Sequence, residues 1–522
     1  MTAVSGRNLW ELIEARVAAT PDADMLVDQD GRRMTFAEFS TAAGEMAAGL
    51  ADLGVGAGDV VAWELPTWIE TVVLAAAINR LDAVQNPIIA IYREREVGFC
   101  CRQAGAKVLI TPAEFGGFDF GAMGHAIADA VEGLTAITVG PGAFPVGDPS
   151  TLPPVPVPAS DGQDAPVRWL CYTSGTTSDP KGARHTDASI DAIARAMGDR
   201  LDVQAGDRPA LVFPFPHIGG ITWLFTGLQT GCVSLLDQAF VPASTTAFLA
   251  AERCTHAGSG TPFHMVYLAA QRENPDTPLF PELKNCPGGG APKPPQLHYD
   301  VKVELGGSGV VSGWGLTEAP ILTMGAHDDP DDKLARTEGR AMPGVDLKVV
   351  SVEGEVVGPG QEGELRAKAP QMMKGYLDDT LNADAFDDEG YFRTGDLGII
   401  DAQGYVVITG RLKDVIIRHG ENISAKEVED LLFTHEQVQD VAVIGLPDAR
   451  TGERAVAVVS TPEGAEPLTL AGMREFLTAA GLRTQAIPEQ LEHVAVVPRN
   501  PSGKITKNVL RDEFADKPFD RS

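Results

Sequence analysis

"VRWLCYTSGTTSDPKG", residues 167–182, begins as an apolar run that predicts a strand and ends as a loop of hydroxyls and glycines. The loop closes on Pro180, Lys181 and Gly182. Backbone N–H groups in such turns form concave anion sites, and the lysine adds a mobile positive charge. The lysine stands before the last glycine and no Ser or Thr follows, so this is not the GxxxxGK[ST] loop. The stretch predicts a polyphosphate-binding loop, against the alternative of a flexible surface loop.

Helical patterns and short apolar runs alternate through the chain before this loop. Residues 9–19 and 36–54 have the periodicity of amphipathic helices, and residues 59–65 and 106–112 read as buried strands between helices. This alternation predicts layered α/β structure. Residues 140–162 are rich in Pro and Gly, which favours an exposed connection.

Late in the chain the pattern changes. Residues 363–369 and 405–420 look like strands with turns, which favours antiparallel, β-barrel-like sheet. From Glu421 onward the order helix, strand, strand, helix predicts a small α+β unit of roughly a hundred residues. We therefore expect an α/β protein with a large N-terminal domain over 1–412, built of layered α/β subdomains plus a β-barrel-like part, and a small mobile α+β C-terminal domain over 413–522.

Composition excludes several classes of partner. The 522 residues carry a formal net charge of -30, and so acidic a surface repels nucleic acid and anionic lipid. The six cysteines form no CxxC pair, which favours reduced structural thiols. No signal peptide pattern precedes the first helix, and no apolar stretch is long enough to span a bilayer. We expect a cytoplasmic protein without a nucleic-acid partner and without stable membrane insertion.

Further motifs follow the loop in a fixed order. They are "FPFPHIGG" (213–220), "GGGAP" (288–292), "GWGLTEAP" (313–320), "YFRTGDLG" (391–398), "GRLKDVIIRHGENIS" (410–424) and "PRNPSGKITK" (498–507). Together with the loop they resemble the signatures of the AMP-forming adenylating superfamily. That superfamily contains acyl-CoA synthetases, adenylation domains of peptide synthetases and firefly-type luciferases. The resemblance extends from about residue 9 to Arg511.

The resemblance implies that ATP, Mg²⁺ and CoA are bound by residues of these motifs. The implied binding positions are Thr173, Ser174, Gly175, Thr176, Thr177, Lys181, Gly290, Ala291, Pro292, Trp314, Gly315, Thr317, Asp396, Arg411 and Gly420. Thr317 would bond the α-phosphate and Glu318 would ligate Mg²⁺. Asp396, helped by Arg411, would accept bonds from the ribose. Trp314 would lie on the adenine face, where the family usually has Tyr; a core tryptophan is the alternative.

The resemblance also implies a catalytic set and a hinge. The catalytic residues are Lys504, His217, Thr317 and Glu318. Lys504 lies in a turn-forming stretch, and its charge would offset negative charge that develops when a carboxylate attacks the α-phosphorus. Lys413 occupies the hinge between two orientations of the small domain, one for adenylate formation and one for thioester formation. Gly420 would border the pantetheine channel in the second orientation.

Two positions depart from the family pattern. Ser178 stands where the family usually has Gly, so a positive φ there would add strain. His419 also stands where most relatives have Gly, which leaves the wall of the pantetheine channel undefined.

The acyl pocket is predicted from the second motif and the helix that follows it. Its residues are His217, Ile218, Gly219, Gly220 and Trp223. Amino-acid activators usually carry an Asp in this motif; none is present here, which favours an uncharged acyl group. His217 would flank the reacting carboxylate, with a structural core histidine as the alternative, and Trp223 would cap the depth. We expect a medium-chain fatty, alicyclic or aromatic acid, and residues 85–99 resemble cyclohexanecarboxylate-type and medium-chain fatty acid CoA ligases.

These implications together describe an ATP-dependent carboxylic acid–CoA ligase that forms acyl-AMP and pyrophosphate, then acyl-CoA and AMP. The alternative within the family is an acyl-AMP ligase that loads a separate acyl carrier protein. A luciferase-like oxygenase is a weaker option, which a luminescence assay would detect. A non-catalytic nucleotide-binding scaffold is also weaker, because the motif lysine, glutamate and aspartate are all present. The expected partners are a small carboxylic acid, ATP and CoA. The residues leave open whether the chain forms a homodimer, as many relatives do.

Overall fold

The structure is a computed structural model that describes residues 3–155, 165–173, 179–290, 293–418, 421–448, 450–499, 505–515 and 517. Its helices are α1 (Leu9–Ala19), α2 (Phe36–Asp52), α3 (Ile69–Arg80), α4 (Glu94–Ala104), α5 (Phe120–Ala130), α6 (Asp187–Leu201), α7 (Ile218–Thr230), α8 (Pro242–Ala251), α9 (Thr261–Glu273), α10 (Pro295–Asp300), α11 (Asp331–Arg336), α12 (Asn382–Ala385), α13 (Ala425–Leu432), α14 (Leu470–Ala479) and α15 (Lys507–Phe514).

The strands fall into an N-terminal and a C-terminal set. The first runs β1 (Asp24–Asp28), β2 (Arg33–Thr35), β3 (Val60–Trp63), β4 (Val84–Pro87), β5 (Ala106–Pro112), β6 (Glu114–Phe115), β7 (Phe118–Asp119), β8 (Thr135–Val139), β9 (Val167–Thr173), β10 (Lys181–Thr186), β11 (Ala210–Leu211), β12 (Ser234–Leu236), β13 (Cys286–Gly289), β14 (Val310–Trp314), β15 (Thr323–Met324), β16 (Arg340–Ala341), β17 (Asp346–Val350), β18 (Val356–Val357), β19 (Glu362–Lys368), β20 (Phe392–Ile400) and β21 (Val406–Arg411). The second runs β22 (Val415–Arg418), β23 (Glu421–Ser424), β24 (Asp440–Asp448), β25 (Gly452–Ser460) and β26 (Gln490–His493).

Local sequence signals explain where several helices begin. Helix α2 starts with a capping box in which the Thr35 hydroxyl accepts from the Glu38 amide at 3.2 Å. The Glu38 carboxylate accepts in return from the Thr35 amide at 2.8 Å. These two bonds satisfy amides that have no partner within the helix. Helices over 9–19 and 36–52 and strands at 60–63 and 106–112 confirm the corresponding predictions within a few residues.

A six-stranded sheet carries the predicted phosphate loop. Its strand order is β10-β9-β4-β3-β5-β8, and neighbouring strands from β9 to β8 are parallel. Strand β10 alone pairs antiparallel at this sheet's edge, with β9. The buried strands β3 and β5 lie inside the sheet because their apolar side chains are covered on both faces by helices. The layered α/β expectation is confirmed.

Two smaller sheets complete the layered part. One has the order β11-β12-β1-β2, and the other β13-β14-β15-β16. In the second, β13 runs parallel to β14 with Gly289 opposite Gly313. This pairing places the ends of two predicted nucleotide motifs side by side.

The later part of the chain forms antiparallel sheet, as its pattern predicted. The strands β18-β17-β19-β20-β21 make a five-stranded sheet, which is the part expected to resemble a barrel. A short 3₁₀ turn, Leu412–Asp414, leads from this sheet into the last one. There the order is β23-β22-β25-β24, with β26 on β25; α13 and α14 pack on one face and α15 on the other.

The cysteines agree with the expectation of reduced thiols, because all six are free and buried. Burial raises the pKa of the Cys171 and Cys232 thiols to about 12, which keeps them protonated and unreactive near neutral pH. Within the described ranges, no helix combines the length and the hydropathy that crossing a bilayer requires.

Candidate active site

The hairpin of β9 and β10 holds both ends of the predicted phosphate loop. Thr173 is the last residue of β9 and Lys181 the first of β10, and the two are direct cross-strand partners. The predicted loop residues between them, Ser174, Gly175, Thr176 and Thr177, lie outside the described residues, as does Ser178. The Lys181 Nζ lies 5.5 Å from the centroid of the Tyr376 ring, so the lysine is directed toward that side chain.

The segment after β14 makes a tight reversal that presents Thr317 and Glu318. A Cβ added at Gly315 would lie 2.2 Å from the Ile321 amide nitrogen, so only glycine fits there. The Thr317 carbonyl accepts from His185 Nε2 at 2.8 Å, and His185 belongs to β10. This bond ties the reversal to the strand that begins at the predicted phosphate lysine.

Glu318 is 8% exposed, and its carboxylate is held by a neighbouring tyrosine. The Tyr376 hydroxyl donates to Glu318 Oε1 at 2.7 Å, and the Glu318 carbonyl accepts from the Met373 amide at 2.8 Å. Among the described residues no cluster of three or more His, Cys, Asp or Glu side chains could cage a metal ion. Magnesium at nucleotide sites uses one or two carboxylates together with substrate phosphates and water, so a single buried carboxylate fits it.

Asp396 is 2% exposed and is held from two sides. Trp314 Nε1 donates to Oδ2 at 2.8 Å, and Arg411 Nε lies 2.7 Å from Oδ1. Asp396 and Arg411 are cross-strand partners in β20 and β21. Each carboxylate oxygen can accept a second hydrogen bond, so the site retains the capacity to receive two hydroxyl groups.

Trp314 is 7% exposed and belongs to a hydrophobic cluster that includes Leu365, Ala367 and Val406. Little of its face is therefore open in this arrangement. The indole N–H bond to Asp396 joins two residues that the motifs assign to different parts of the nucleotide, adenine and ribose. Sequence patterns offered no signal for this bond.

The turn after β13 brings backbone close to β14. A Cβ added at Gly289 would lie 2.7 Å from the Gly313 carbonyl oxygen, and Gly290 has a φ of 72°, a conformation that favours glycine. Ala291 and Pro292 lie outside the described residues. The two glycines let the turn approach the start of the Trp314 segment without side chains between them.

The predicted acyl-pocket residues form a second group at the start of α7. His217 is the N-cap of that helix, and its Nδ1 accepts from the Gly219 amide at 3.1 Å. The Phe213 ring contacts the imidazole edge to face, with centroids 6.1 Å apart. Ile218 and Trp223 are buried in the large core of the N-terminal domain. The helix start therefore sets the position of His217.

The segment around Lys413 joins the two last sheets. Lys413 lies in the 3₁₀ turn, where its side chain is exposed. Asp414 forms an ion pair with Arg511 at 2.8 Å, and the Ser424 hydroxyl donates to the Thr409 carbonyl at 2.7 Å. These contacts connect α15 and α13 to the segment around the predicted hinge, Lys413.

Three further positions named in the sequence analysis also fall outside the described residues. They are Gly420, Lys504 and the neighbouring His419. Their roles stay predictions from the sequence. Conversely, the structure adds two residues that no motif identified. Tyr376 bonds the Glu318 carboxylate, and His185 of β10 bonds the Thr317 carbonyl.

The chain is similar to known proteins over most of its length. A protein-family model described as "AMP-binding enzyme" matches residues 13–377, and a second family model, described as "AMP-binding enzyme C-terminal domain", matches residues 427–504. The medium-chain fatty-acid–CoA ligase of Escherichia coli K12 is 30% identical over 95% of this chain and 88% of its own length. Triostin synthetase I of Streptomyces triostinicus is 33% identical over 97% of this chain and 94% of its own length.

A solved structure shows the same fold. It is the o-succinylbenzoate coenzyme A synthetase of Bacillus subtilis in complex with ATP and magnesium ion. It superposes with a TM-score of 0.82 at 25% identity, covering 96% of this chain and 99% of that one. The likeness therefore includes both the large N-terminal part and the small C-terminal part.

Proposed function

Because this chain belongs to the AMP-binding enzyme family, as an adenylate-forming enzyme of the acyl-CoA ligase type, we propose that it joins a carboxylic acid to coenzyme A in two half-reactions. First a carboxylate oxygen attacks the α-phosphorus of ATP, the bond to the bridging oxygen breaks, and pyrophosphate leaves. Then the CoA sulfur attacks the acyl carbonyl, loses its proton, and AMP leaves. The products are acyl-CoA, AMP and pyrophosphate.

One arrangement carries this proposal. Tyr376 contacts both Lys181 and Glu318, and His185 bonds the Thr317 carbonyl. In the proposed reaction, Lys181 holds the outer phosphates and Glu318 holds the cation of the same ATP molecule. The two side chains must therefore lie close together, and both contact Tyr376.

The residues divide the work of the first half-reaction. Lys181 and the loop after Thr173 would hold the β- and γ-phosphates, Thr317 the α-phosphate, and Asp396 the ribose. Magnesium, when bound at Glu318, supplies charge neutralisation on the phosphates. Lys504, as the family motif implies, would offset charge at the α-phosphorus.

The acid is inferred from the start of α7. The 213–220 motif contains no carboxylate that could pair with an amine, and Ile218 and Trp223 are apolar and buried. An uncharged acyl group fits such a wall. We propose a medium-chain fatty, alicyclic or aromatic acid, with His217 beside the reacting carboxylate.

The thiol acceptor separates two versions of the function. We propose free CoA, in keeping with the E. coli ligase named above, and the alternative is a separate acyl carrier protein. Thioester formation with CoA but not with a phosphopantetheinylated carrier protein supports the first version. The reverse preference supports the second.

ATP–pyrophosphate exchange with a panel of carboxylic acids tests the proposal. Exchange stimulated by medium-chain or aromatic acids, with AMP as the nucleotide product, is the expected result. Release of ADP and orthophosphate, or no exchange with any acid, would refute it.

The division of labour between domain faces has its own test. Lys504→Ala should lower the rate of adenylation about a hundredfold or more, yet spare thioester formation from supplied acyl-AMP. Equal loss in both half-reactions contradicts the role proposed for this lysine.

A further inference from the structure

Tyr376 lies in the connection between β19 and β20 and is 5% exposed. Its hydroxyl donates to Glu318 Oε1 at 2.7 Å, and the Lys181 Nζ lies 5.5 Å from its ring centroid. One side chain therefore meets a carboxylate with its hydroxyl and a cation with its aromatic face. Both interactions are favourable, the first as a hydrogen bond to a charged group and the second as a cation–π contact.

The backbone around Tyr376 is held independently of its side chain. The Leu377 amide donates to the Gly182 carbonyl and the Lys374 amide to the Arg184 carbonyl, each at 2.7 Å. The residue itself forms an antiparallel bridge with Ala183. Residues 374–377 thus pair with the edge of β10 through their backbone. We therefore expect residue 376 to keep its position when the tyrosine hydroxyl is removed.

The Tyr376 hydroxyl is the donor in its bond to Glu318, because a carboxylate oxygen can only accept. A protonated hydroxyl beside a carboxylate has one favourable orientation, with its hydrogen directed at the carboxylate oxygen. This contact restricts the Glu318 side chain to one position before any ligand arrives.

We propose that Tyr376 is a positioning residue that holds the Glu318 and Lys181 side chains in fixed relative positions. The site therefore binds the magnesium complex of ATP more tightly than it binds metal-free ATP. The inference rests on the proposed function and deepens it. The Tyr376 hydroxyl bonds Glu318, the proposed magnesium ligand, whereas the Tyr376 ring contacts Lys181, the proposed phosphate ligand. Removing the hydroxyl alone should therefore affect metal-dependent binding, and removing the ring should affect both kinds of binding.

The test is calorimetric titration of the full chain with ATP, in the presence of Mg²⁺ and in its absence with a chelator. Tyr376→Phe should weaken binding of the magnesium complex about tenfold and leave binding of metal-free ATP unchanged. Tyr376→Leu should weaken both, because Lys181 also loses its aromatic contact.

A matched control is present elsewhere in the chain. Tyr405 is 6% exposed, its hydroxyl donates to Asp329 Oδ1 at 2.7 Å, and Lys333 Nζ lies 4.8 Å from its ring centroid. Tyr405→Phe makes the same chemical change on the same type of partners. Its affinity for both forms of ATP should equal that of the unaltered protein.

A double variant tests whether Tyr376 acts on magnesium-dependent binding through Glu318. In a Glu318→Gln background, Tyr376→Phe should change the affinity for the magnesium complex no further, since the two residues act as one unit. Tyr376→Phe and Tyr405→Phe should melt at similar temperatures in the absence of nucleotide.

Three results would overturn the inference. They are additive losses in the double variant, an affinity of Tyr376→Phe equal to that of Tyr405→Phe, and equal weakening of both forms of ATP by Tyr376→Phe. A parent protein that binds no ATP at all would instead refute the proposed function, and this inference with it.

Discussion

Gly219 and Gly220 are consecutive residues at the start of α7, and the structure predicts a loss of stability when Gly220, but not Gly219, is changed to alanine. A Cβ added at Gly220 would lie 2.5 Å from the carbonyl oxygen and 2.7 Å from the Cα of Phe215. Both are backbone atoms, which cannot turn aside as a side chain can. A Cβ added at Gly219 would first meet the side chains of His217 and Phe213, at 3.2 and 3.3 Å.

The distances give the size of the effect. Ordinary contact begins at 3.4 Å, so Gly220→Ala requires the start of α7 and the Phe215 backbone to separate by about 0.9 Å. Overpacking of this kind lowers the free energy of unfolding by about 1–3 kcal/mol, and a rigid backbone partner favours the upper end. Gly219→Ala needs only small side-chain movements and gains up to ~1 kcal/mol of helix propensity.

Thermal unfolding of the two full-length variants measures the difference. Gly220→Ala should melt about 3 °C below the unaltered protein, and Gly219→Ala should melt close to it. A Gly220→Ala protein that melts with the unaltered one would refute the close approach. Greater loss in Gly219→Ala than in Gly220→Ala would refute the ranking. If the ranking holds, Gly219→Ala can report on acid preference without a stability defect.

Three further predictions address the nucleotide site, the pH range and the hinge. Trp314→Phe removes the indole donor to Asp396 and should weaken ATP binding about tenfold by calorimetry, because a buried carboxylate oxygen loses its partner; unchanged affinity contradicts this. Burial lowers the pKa of His185 and His264 to about 4, so the unfolded chain takes up these protons first. Stability should be fully present above pH ~6.5 and fall as the pH drops toward 4; denaturant midpoints that stay constant across this window contradict the prediction. Lys413→Pro should retain adenylation and lose thioester formation from supplied acyl-AMP, whereas the control Lys413→Ala should retain both; full second-step activity in the proline variant rejects the hinge.

Much of the fold was predictable from local patterns. The helix over 9–19, the buried strands at 60–63 and 106–112 and the late α+β unit each follow from periodicity and turn residues within a few positions. Such signals need only neighbouring residues, so they are written along the chain. The ordered motifs identified the family in the same way, since each is a short contiguous stretch.

The connections within the candidate site were not predictable, because they join residues far apart in the sequence. Tyr376 and Glu318 are separated by 58 positions, and Trp314 and Asp396 by 82. No periodicity relates such pairs. Only the tertiary arrangement of the segments that carry these residues brings their side chains within hydrogen-bond distance.

The amino-acid sequence by itself supplied the chemical groups behind each prediction: hydroxyls and a lysine for the predicted phosphate loop, a carboxylate for the predicted metal, the predicted hinge, and a predicted acyl motif without an acidic side chain. The tertiary structure decided which of these groups meet, and it assigned Gly220 a packing role against Phe215 that composition could not reveal. The physical reason is that side-chain chemistry is a property of single residues. Distance and burial, by contrast, arise only when separate strands and helices share one core.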